Sequence, residues 1–589
     1  MCGIAAEFRF DGRPADTAAV ERMIERQAAR GPDGEGVFGD RHVALGHRRL
    51  KILDLGQRAS QPMVDEELGL VIVFNGCIYN FEPLRRELED FGHRFRTTSD
   101  TEVILKAYAE WGARCVERFN GMFSFVIVER QSGRAFVARD RLGIKPLYLR
   151  EAGGRLRLAS SLPALLAAEE SRPDIDPVAL HHYMSFHSVV PAPLTILNGF
   201  EKVPPATRMT IEPDGTRRAE RYWSAAFKRN GKAKTEFAAL KAQVLDTLGQ
   251  AVERRMVADV PVGVLLSGGV DSSLVVGLLA RLGAHKLETF SIGFESAGGE
   301  AGHEFEYSNL IAKTFGTTHH QIRVDSAGLV EHLPACFAAM SEPMTSHDNI
   351  AFYLLSREVS EHVKVVQSGQ GADEIFGGYY WYPPLLASED PVSDYAREFF
   401  DRDHDEMRRV LEPEFVGVDH SLRFVERHFA ASSATQPVDK ALHLDTTVML
   451  VEDPVKRVDN MTMASGLEAR VPFLDHEVVE MAAAIPPELK VSFGGKFVLK
   501  EAARAILPSD VIDRKKGYFP VPELKYLRGE SLEFVKDALN GRAARERGIF
   551  RREYVDELLE SPAEHLTPLN GSKLWQIAAL ETWLQTHGI

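Results

Sequence analysis

The arrangement of apolar and polar positions changes near the middle of the chain and divides it into two parts. Over about the first 160 residues, short apolar runs such as Leu70 to Phe74 and Met122 to Val128 predict strands, and Thr101 to Trp111 predicts an amphipathic helix. Short strands separated by turns are typical of antiparallel sheets. We therefore expect an α+β layered domain, followed by a proline-rich stretch over 190–205.

The second part of the chain alternates buried strands with helices. Strands are predicted at Val260 to Leu266, Thr289 to Phe294 and Val363 to Gln367, and helices at 272–282, 308–315 and 352–361. This alternation predicts a parallel α/β sheet, and the segment after residue 391 is predicted to be mostly helical. We predict a first domain over 1–205, a linker over 206–235 and a second domain over 236–589.

Length, charge and cysteine content narrow the class of protein. With 589 residues the chain is too long for one ordinary core, and its net charge of −15 disfavours a nucleic-acid surface. No apolar run reaches the roughly 20 residues of a membrane span, and no signal peptide is indicated, so we expect a cytoplasmic protein with no membrane partner. Cys115 and Cys336 are expected to be buried small hydrophobes, because the cysteine spacing suits no zinc site.

Cys2 is the first candidate for catalysis. Removal of the initiator methionine would leave a thiol and a free α-amine on one residue, and an amine with a pKa near ~8 can accept the thiol proton. A cysteine at this position is more often incidental, so the surrounding sequence has to decide between the two interpretations.

Four other positions fit hydrolysis of an amino-acid amide. Asn75 and Gly76 can supply a side-chain and a backbone N–H to an oxyanion, although an Asn-Gly pair also occurs in type I′ hairpin turns. Arg49 can bind a carboxylate through a bidentate fork, and Asp100 can bind an ammonium group. Considered alone, either charge is more often a solvated surface group.

Five segments carry a family resemblance in the first domain. They are Met1-Cys2-Gly3-Ile4, Arg30-Gly31-Pro32-Asp33, Gly46-His47-Arg48-Arg49-Leu50, Asn75-Gly76-Cys77-Ile78-Tyr79-Asn80 and Ser99-Asp100-Thr101-Glu102. In order and spacing they resemble the glutaminase domain of class II glutamine amidotransferases. The resemblance implies an Ntn-hydrolase-type αββα sandwich, with Cys2 as nucleophile and Asn75 and Gly76 as the oxyanion hole. It assigns glutamine binding to Arg49, Asp100 and the backbone of Ile52, and makes Cys77 a neighbour of the site without a catalytic role.

A glycine-rich loop in the second domain has the features of an anion site. Leu266 and the segment Ser267-Gly268-Gly269-Val270-Asp271-Ser272-Ser273 follow a predicted strand and open a predicted helix. Backbone N–H groups at the glycines and the helix N-terminus suit pyrophosphate, the serine hydroxyls add donors, and Asp271 can hold Mg²⁺. The GK[ST] ending of a Walker A loop is missing, and the alternative is a tight glycine turn in an α/β protein. The segment resembles the PP-loop of ATP pyrophosphatases.

Further segments resemble the synthetase domain of asparagine synthetases. Ser368 to Tyr379 resembles its second loop, which implies that Ser368 and Gly369 line the nucleotide site and that Asp373 holds a second Mg²⁺. The segments 458–463 and 467–475 resemble the helical signature of the family. By the same resemblance, Ile292 packs against adenine and Lys496 neutralises the departing pyrophosphate; without it, Lys496 would be read as a surface lysine.

Nearly the whole chain is therefore similar to glutamine-hydrolysing asparagine synthetases. The resemblance implies an α/β PP-loop ATP pyrophosphatase domain with a helical C-terminal region, and an enzyme whose partners are glutamine, ATP and a carboxylate acceptor, with Mg²⁺ as cofactor. Ammonia would cross between the domains and displace AMP from an acyl-adenylate. The oligomeric state stays open, with a homodimer as one possibility.

Gln370 departs from this family, which usually has glutamate there. A neutral amide can position ammonia but cannot remove its proton, so another acid must serve or the acceptor differs. The segment 342–349 also differs from the version typical of enzymes that act on aspartate. We favour the bacterial branch that amidates N-acetylglutaminylglutamine to a neutral osmolyte, and keep aspartate as the alternative acceptor.

Three other classes of protein remain for comparison. A β-lactam synthetase-like enzyme would lack the glutaminase residues Cys2, Arg49 and Asp100, which this chain has. A phosphosugar amidotransferase would lack the loop over 267–273. In a non-catalytic scaffold or sensor, at least one of the two sites should have lost some of its residues. In this chain the residues of the glutaminase site and of the ATP site are all present, apart from Gln370.

Overall fold

The first half of the protein contains two antiparallel sheets. The computed structural model describes residues 2–227, 236–284, 286–295, 303–514 and 521–589, so Met1 and residues 228–235 of the predicted linker lie outside the described residues. The strands of this half are β1 (Gly3–Arg9), β2 (Gly34–Asp40), β3 (Val43–Arg49), β4 (Met63–Asp65), β5 (Leu70–Ile78), β6 (Gly121–Glu129), β7 (Ala135–Arg139), β8 (Tyr148–Ala152), β9 (Arg155–Ala159), β10 (Phe200–Lys202), β11 (Thr207–Ile211) and β12 (Arg217–Arg221). They form two six-stranded sheets with the orders β10-β8-β9-β1-β3-β2 and β12-β11-β7-β6-β5-β4.

Helices cover the outer faces of both sheets. They are α1 (Thr17–Glu25), α2 (Phe81–Asp90), α3 (Asp100–Trp111), α4 (Cys115–Arg118), α5 (Leu162–Leu166) and α6 (Pro177–Ser185). Side chains alternate between the two faces of a sheet, so successive residues of one strand pack against different layers of the sandwich. Val71 and Val73 face the first sheet, whereas Ile72 and Phe74 pack under α2 and α3. The predicted αββα sandwich is confirmed.

Two expectations change in the second of these sheets. The apolar run predicted at Leu70 to Phe74 continues as a strand, and Asn75 and Gly76 pair with Ser124 and Phe123 of β6. The alternative that Asn75-Gly76 forms a hairpin turn is therefore wrong. Residues 207–221 of the predicted linker contain β11 and β12, which pair into the second sheet; the domain boundary itself stays a prediction.

The described residues of the second half form one parallel sheet. Its strands are β13 (Val262–Leu265), β14 (Glu288–Phe294), β15 (Thr318–Val324), β16 (Val365–Gln367) and β17 (Glu468–Arg470), in the order β15-β14-β13-β16-β17. All four pairings are parallel, as the sequence predicts. Strands are added on both sides of β13, so the crevice beyond the carboxyl ends of β13 and β16 is a topological switch point, where such sheets bind ligands.

The remainder of the second half is largely helical, as predicted. The helices are α7 (Phe237–Arg254), α8 (Val270–Arg281), α9 (Phe305–Phe315), α10 (Ser326–Ala339), α11 (Asp348–Ser360), α12 (Ala372–Phe376), α13 (Pro391–Phe399), α14 (His404–Val410), α15 (Pro413–Val416), α16 (His420–Ala431), α17 (Pro437–Leu444), α18 (Lys456–Met463), α19 (His476–Ala484), α20 (Pro487–Val491), α21 (Phe497–Ala503), α22 (Ser509–Ile512), α23 (Pro522–Lys525), α24 (Gly529–Asn540), α25 (Arg542–Arg547), α26 (Arg552–Glu560) and α27 (Lys573–Thr586). In the part of the chain that is described, no helix is both long and apolar enough to cross a bilayer. Of the two segments that resemble the helical signature, 458–463 lies in α18, whereas 467–475 contains the strand β17 and a short 3₁₀ helix over Pro472–Leu474.

Candidate active sites

Cys2 lies at the start of β1, where two other segments hold its backbone. Its nitrogen donates to Oδ1 of Asn75 at 3.1 Å, and its carbonyl oxygen accepts from Nε of Arg30 at 3.3 Å. The side chain is buried, and this burial raises the pKa of the thiol. The resting thiol is therefore protonated near neutral pH, and a nucleophilic attack from it requires a base.

Asn75 has the free donor that an oxyanion needs. Its Oδ1 is used by Cys2, while Nδ2 is buried and has no hydrogen-bond partner among the described residues. An unpaired buried donor costs about 1–3 kcal/mol, so an acceptor supplied by a ligand would relieve this cost. Next to it, a Cβ on Gly76 would lie 2.1 Å from the carbonyl oxygen of Met122, so only glycine fits this position of β5.

Arg49 and Asp100 line the same small cavity as Cys2 and Gly76, about 40 Å³ in volume. Nη1 of Arg49 donates to the carbonyl oxygen of Gly56 at 2.8 Å, which fixes the direction of the guanidinium group. Asp100 begins α3, and its Oδ2 accepts from the N–H of Ile78 at 3.0 Å. Burial raises the pKa of Asp100 to about 7.

The remaining residues around this cavity come from both halves of the protein. Ile52 lines it, and its carbonyl oxygen accepts from the N–H of Asp259 at 2.9 Å. Glu468 and Arg470 of β17 also line it, and Nη2 of Arg470 lies 3.7 Å from Sγ of Cys77. Cys77 is therefore a neighbour of the cavity, as expected. Nothing in the sequence pattern indicated that the second half closes this site.

The glycine-rich loop joins β13 to α8 at the switch point. Ser267 and Ser272 tie the loop together, because their hydroxyl oxygens lie 3.1 Å apart and the N–H of Gly269 donates to Oγ of Ser267 at 3.3 Å. Gly268 has φ +80°, and a Cβ there would lie 2.7 Å from the nitrogen of Ser308. The backbone shape of the loop therefore requires glycine.

A cavity of about 260 Å³ opens in front of this loop. The predicted nucleotide residues that line it are Leu266, Ser267, Gly269, Asp271, Ser272, Ile292, Ser368 and Gly369. Gly268 and Ser273 were predicted with them but are not part of this lining, and Ser273 is fully buried. The apolar side chains of Phe290 and Phe352 form part of the wall, a surface suited to a flat base.

Lys496 contacts both predicted metal ligands. Its Nζ lies 2.7 Å from Oδ2 of Asp271 and 2.9 Å from Oδ1 of Asp373. Burial opposes the charge on this lysine, but the two carboxylates hold its pKa above the usual range. Lys496 is therefore a buried cation at the floor of the cavity, not a surface lysine. The two carboxylates are hard oxygen donors beside the phosphate-type loop and fit the requirements of Mg²⁺.

Gln370 lies in the wall of the same cavity, with three residues that sequence reasoning did not single out: Asp348, Tyr379 and Arg457. Nη1 of Arg457 lies 3.6 Å from Oδ2 of Asp348 and 3.6 Å from Oδ1 of Asp453. Burial raises the pKa of Asp348 to about 6 although Arg457 opposes the shift. The only sequence signal for this residue was the unusual composition of the segment 342–349.

Two family models match the two halves of the chain. Residues 1–223 match a glutamine amidotransferase domain, and residues 243–585 match asparagine synthase. These two matches define the class of protein: it is an ATP-dependent ligase that uses glutamine as its amide donor. The chain belongs to the glutamine-hydrolysing asparagine synthetase family.

Two relatives from Bacillus subtilis (strain 168) match over nearly their full length. Asparagine synthetase [glutamine-hydrolyzing] 1 is 33% identical, with 99% of this chain and 96% of the relative covered. Asparagine synthetase [glutamine-hydrolyzing] 3 is 30% identical, with 100% of this chain and 99% of the relative covered. A solved glutamine phosphoribosylpyrophosphate amidotransferase from B. subtilis matches 56% of this chain and 92% of its own at 14% identity and a TM-score of 0.31, too low to support a structural argument.

Proposed function

We propose that the first cavity releases ammonia from glutamine and that the second activates an acceptor carboxylate with MgATP as an acyl-adenylate. The observation that carries this proposal is the link between the cavities through β17. The side chain of Arg470 lines the first cavity, and its carbonyl oxygen accepts from the N–H of Ser368, which lines the second, at 2.8 Å. β17 thus joins the linings of the two cavities, and we propose that ammonia passes from the first to the second alongside this strand.

In the first step Cys2 attacks the side-chain amide of glutamine. The α-amine exposed by removal of the initiator methionine takes the thiol proton and returns it to the leaving ammonia, and water then hydrolyses the glutamyl thioester to glutamate and the free thiol. Nδ2 of Asn75 and the N–H of Gly76 stabilise the oxyanion. Arg49 binds the substrate carboxylate, and Asp100 in its ionised form binds the substrate ammonium group.

In the second step the acceptor carboxylate attacks the α-phosphate of ATP and pyrophosphate leaves. Ser267 and Ser272 donate to phosphate oxygens at the N-terminus of α8, and Lys496 neutralises the charge that builds up on pyrophosphate. Mg²⁺, held by Asp271 and Asp373, would supply further neutralisation of the phosphates. Ammonia then attacks the acyl carbon and AMP leaves.

We propose Asp348 as the base that receives the ammonia proton in place of the glutamate usual at position 370. It lines the same cavity as Gln370, and a carboxyl group with a pKa of about 6 is well matched to proton transfer near neutral pH. Gln370 keeps a positioning role, because its amide can accept a hydrogen bond from ammonia without removing a proton.

We propose N-acetylglutaminylglutamine as the preferred acceptor. Gln370 in the cavity wall is an uncharged amide, so it can hydrogen-bond with the amide groups of such an acceptor. Arg457, in the wall of the same cavity, lies 3.6 Å from the carboxylates of Asp348 and Asp453. The same ion pair also supports the alternative, because aspartate could place its carboxylate on Arg457 and its ammonium group on Asp348.

The acceptor is tested by measuring pyrophosphate release with glutamine, ATP and either N-acetylglutaminylglutamine or aspartate, with mass spectrometry of the products. We expect amidation of the dipeptide to exceed that of aspartate at least tenfold in kcat/KM. Efficient amidation of aspartate with none of the dipeptide would overturn this preference and leave the two-step reaction intact.

A further inference from the structure

Two imidazoles and a carboxylate meet where α6 packs against α14 and α16, far in the sequence from either cavity lining. Nε2 of His181 lies 3.3 Å from Nδ1 of His404 and 3.9 Å from Oδ1 of Asp419. One ligand atom from each of these three residues lies within 4.8 Å of the others. His181 is fully buried, whereas His404 and Asp419 are half-buried.

The spacing of these atoms suits a tetrahedral ion. With Zn–N bonds of about 2.0–2.1 Å and tetrahedral angles, two ligand nitrogens lie about 3.3 Å apart. The two imidazole nitrogens already have this separation. Oδ1 of Asp419, the oxygen that lies 3.9 Å from His181, also caps α16 by accepting from the N–H of Leu422 at 2.9 Å; its second lone pair can face an ion. The half-buried side of the cluster leaves the fourth position to water.

A serine behind the cluster is compatible with the tautomer of His181 that a metal ion requires. Oγ of Ser421 lies 3.1 Å from Nδ1 of His181 and 3.1 Å from Nδ1 of His182. A hydroxyl group donates only one proton, so it accepts from one of these nitrogens and donates to the other. When Nδ1–H of His181 is the donor, its Nε2 carries the lone pair that faces His404. An outer hydrogen bond of this kind is usual for histidines that bind metals.

We propose that His181, His404 and Asp419 form a binding site for a divalent transition ion, with Zn²⁺ as the best fit. Two imidazoles and one carboxylate favour Zn²⁺ over Mg²⁺, which requires six oxygen ligands in octahedral geometry. His181 belongs to the part that matches the amidotransferase model, and the other two ligands belong to the part that matches the synthetase model. The ion thereby joins the two halves of the enzyme, and its role is structural.

The site is tested on the full-length protein after dialysis against a chelator. Co²⁺ is titrated in the presence of excess Mg²⁺, which keeps Co²⁺ off the carboxylates of the nucleotide cavity, and Zn²⁺ is then added. We expect one Co²⁺ per chain with the strong visible absorption of tetrahedral coordination, and its displacement by one equivalent of Zn²⁺. Absence of such absorption, together with no stoichiometric Zn²⁺ binding by calorimetry, would overturn the proposal.

Two variants separate metal binding from hydrogen bonding. Asp419→Asn keeps a side chain that can cap α16, and His404→Asn removes a half-buried ligand, so both are expected to fold. Each should weaken Zn²⁺ affinity at least about a hundredfold and abolish the rise in Tm that Zn²⁺ causes in the parent protein. The control is His428→Asn. The ring of His428 lies 5.0 Å from that of His443, outside the cluster, so this variant should bind Zn²⁺ with the affinity of the parent protein. Unchanged affinity in His404→Asn would mean that the cluster is a hydrogen-bonded imidazole pair only.

Discussion

The guanidinium group of Arg30 lies 2.8 Å from Oδ2 of Asp459, and the same arginine donates to the carbonyl oxygen of Cys2. Asp459 lies on α18 in the synthetase half, where Lys145 also contacts it at 3.3 Å. Burial opposes ionisation of Asp459, but Arg30 and Lys145 hold its pKa below the usual range. One buried carboxylate of the second domain therefore fixes the backbone of the proposed nucleophile.

Asp459→Asn should destabilise the protein and impair the glutaminase. The substitution leaves Arg30 and Lys145 buried without a counter-charge, which costs about 3–5 kcal/mol for a buried pair. We expect a lower urea midpoint and a fall in glutaminase kcat/KM, measured by glutamate release. Asp556→Asn, which breaks an exposed i,i+4 pair with Arg552, is the control and should change stability by less than about 0.5 kcal/mol. Equal effects of the two substitutions would contradict the coupling.

Cys2→Ala should abolish product formation from glutamine and leave synthesis from added ammonium salt intact. The reason is that the two cavities use separate residues, and only the first needs a thiol. Both rates are measured by AMP release with the same acceptor. Loss of the ammonium-dependent rate in a folded variant would show that the two chemistries are not separable.

The KM for glutamine should depend on pH through Asp100. Burial raises the pKa of this carboxyl group to about 7, so it is largely protonated below pH 7 and ionised above it. Only the ionised form can pair with the substrate ammonium group, so KM should rise as the pH falls below 7, by up to about tenfold per pH unit. In Asp100→Asn we expect a high KM that no longer changes between pH 6 and 8. If the KM of that variant still changed with pH, a group other than Asp100 would be responsible for the pH dependence.

Asp271→Asn should stop adenylation while glutaminase turnover continues. It removes one of two carboxylates that face Lys496, and with it a charged ligand for Mg²⁺. ATP–pyrophosphate exchange should fall at least about a hundredfold, equivalent to roughly 2.7 kcal/mol. Exchange at the rate of the unmodified enzyme would rule out the proposed metal role.

Asp348→Asn and Gln370→Glu test the proton acceptor as a pair. If Asp348 is the base, the rate of ammonium-dependent synthesis should increase as the pH rises through about 6, where this carboxyl group ionises. Asp348→Asn should lower that rate and remove its increase with pH, whereas ATP–pyrophosphate exchange stays close to normal. Gln370→Glu adds a charge beside the adenylate; at an effective dielectric of about 20, a like charge about 5 Å away costs roughly 3 kcal/mol. We therefore expect the rate of synthesis to fall by up to about a hundredfold, and the rate of glutamine hydrolysis to fall less. A gain in asparagine formation by Gln370→Glu would favour aspartate as the natural acceptor.

Local sequence was sufficient where a backbone conformation depends on consecutive residues. The loop over 266–273 requires glycine at its turn and a helix directly after it. The residues that meet both requirements are neighbours in the sequence. The same holds for Asn75-Gly76 as an oxyanion candidate. Its alternative as a turn could be excluded only by the pairing of β5 with β6, because an isolated Asn-Gly pair is compatible with either structure.

The sequence by itself determined the two fold classes and the order of the two parts of the chain, and it predicted a chemistry for each loop, because hydrophobic periodicity and short glycine-containing motifs are local properties. Only the tertiary structure brought Arg470 to the cavity of Cys2, Asp348 to the cavity that Gln370 lines and His181 to His404. These pairs join segments that are far apart in the chain or that have no motif of their own. Contacts of this kind depend on how sheets and helices pack, and no local pattern of residue types encodes that packing.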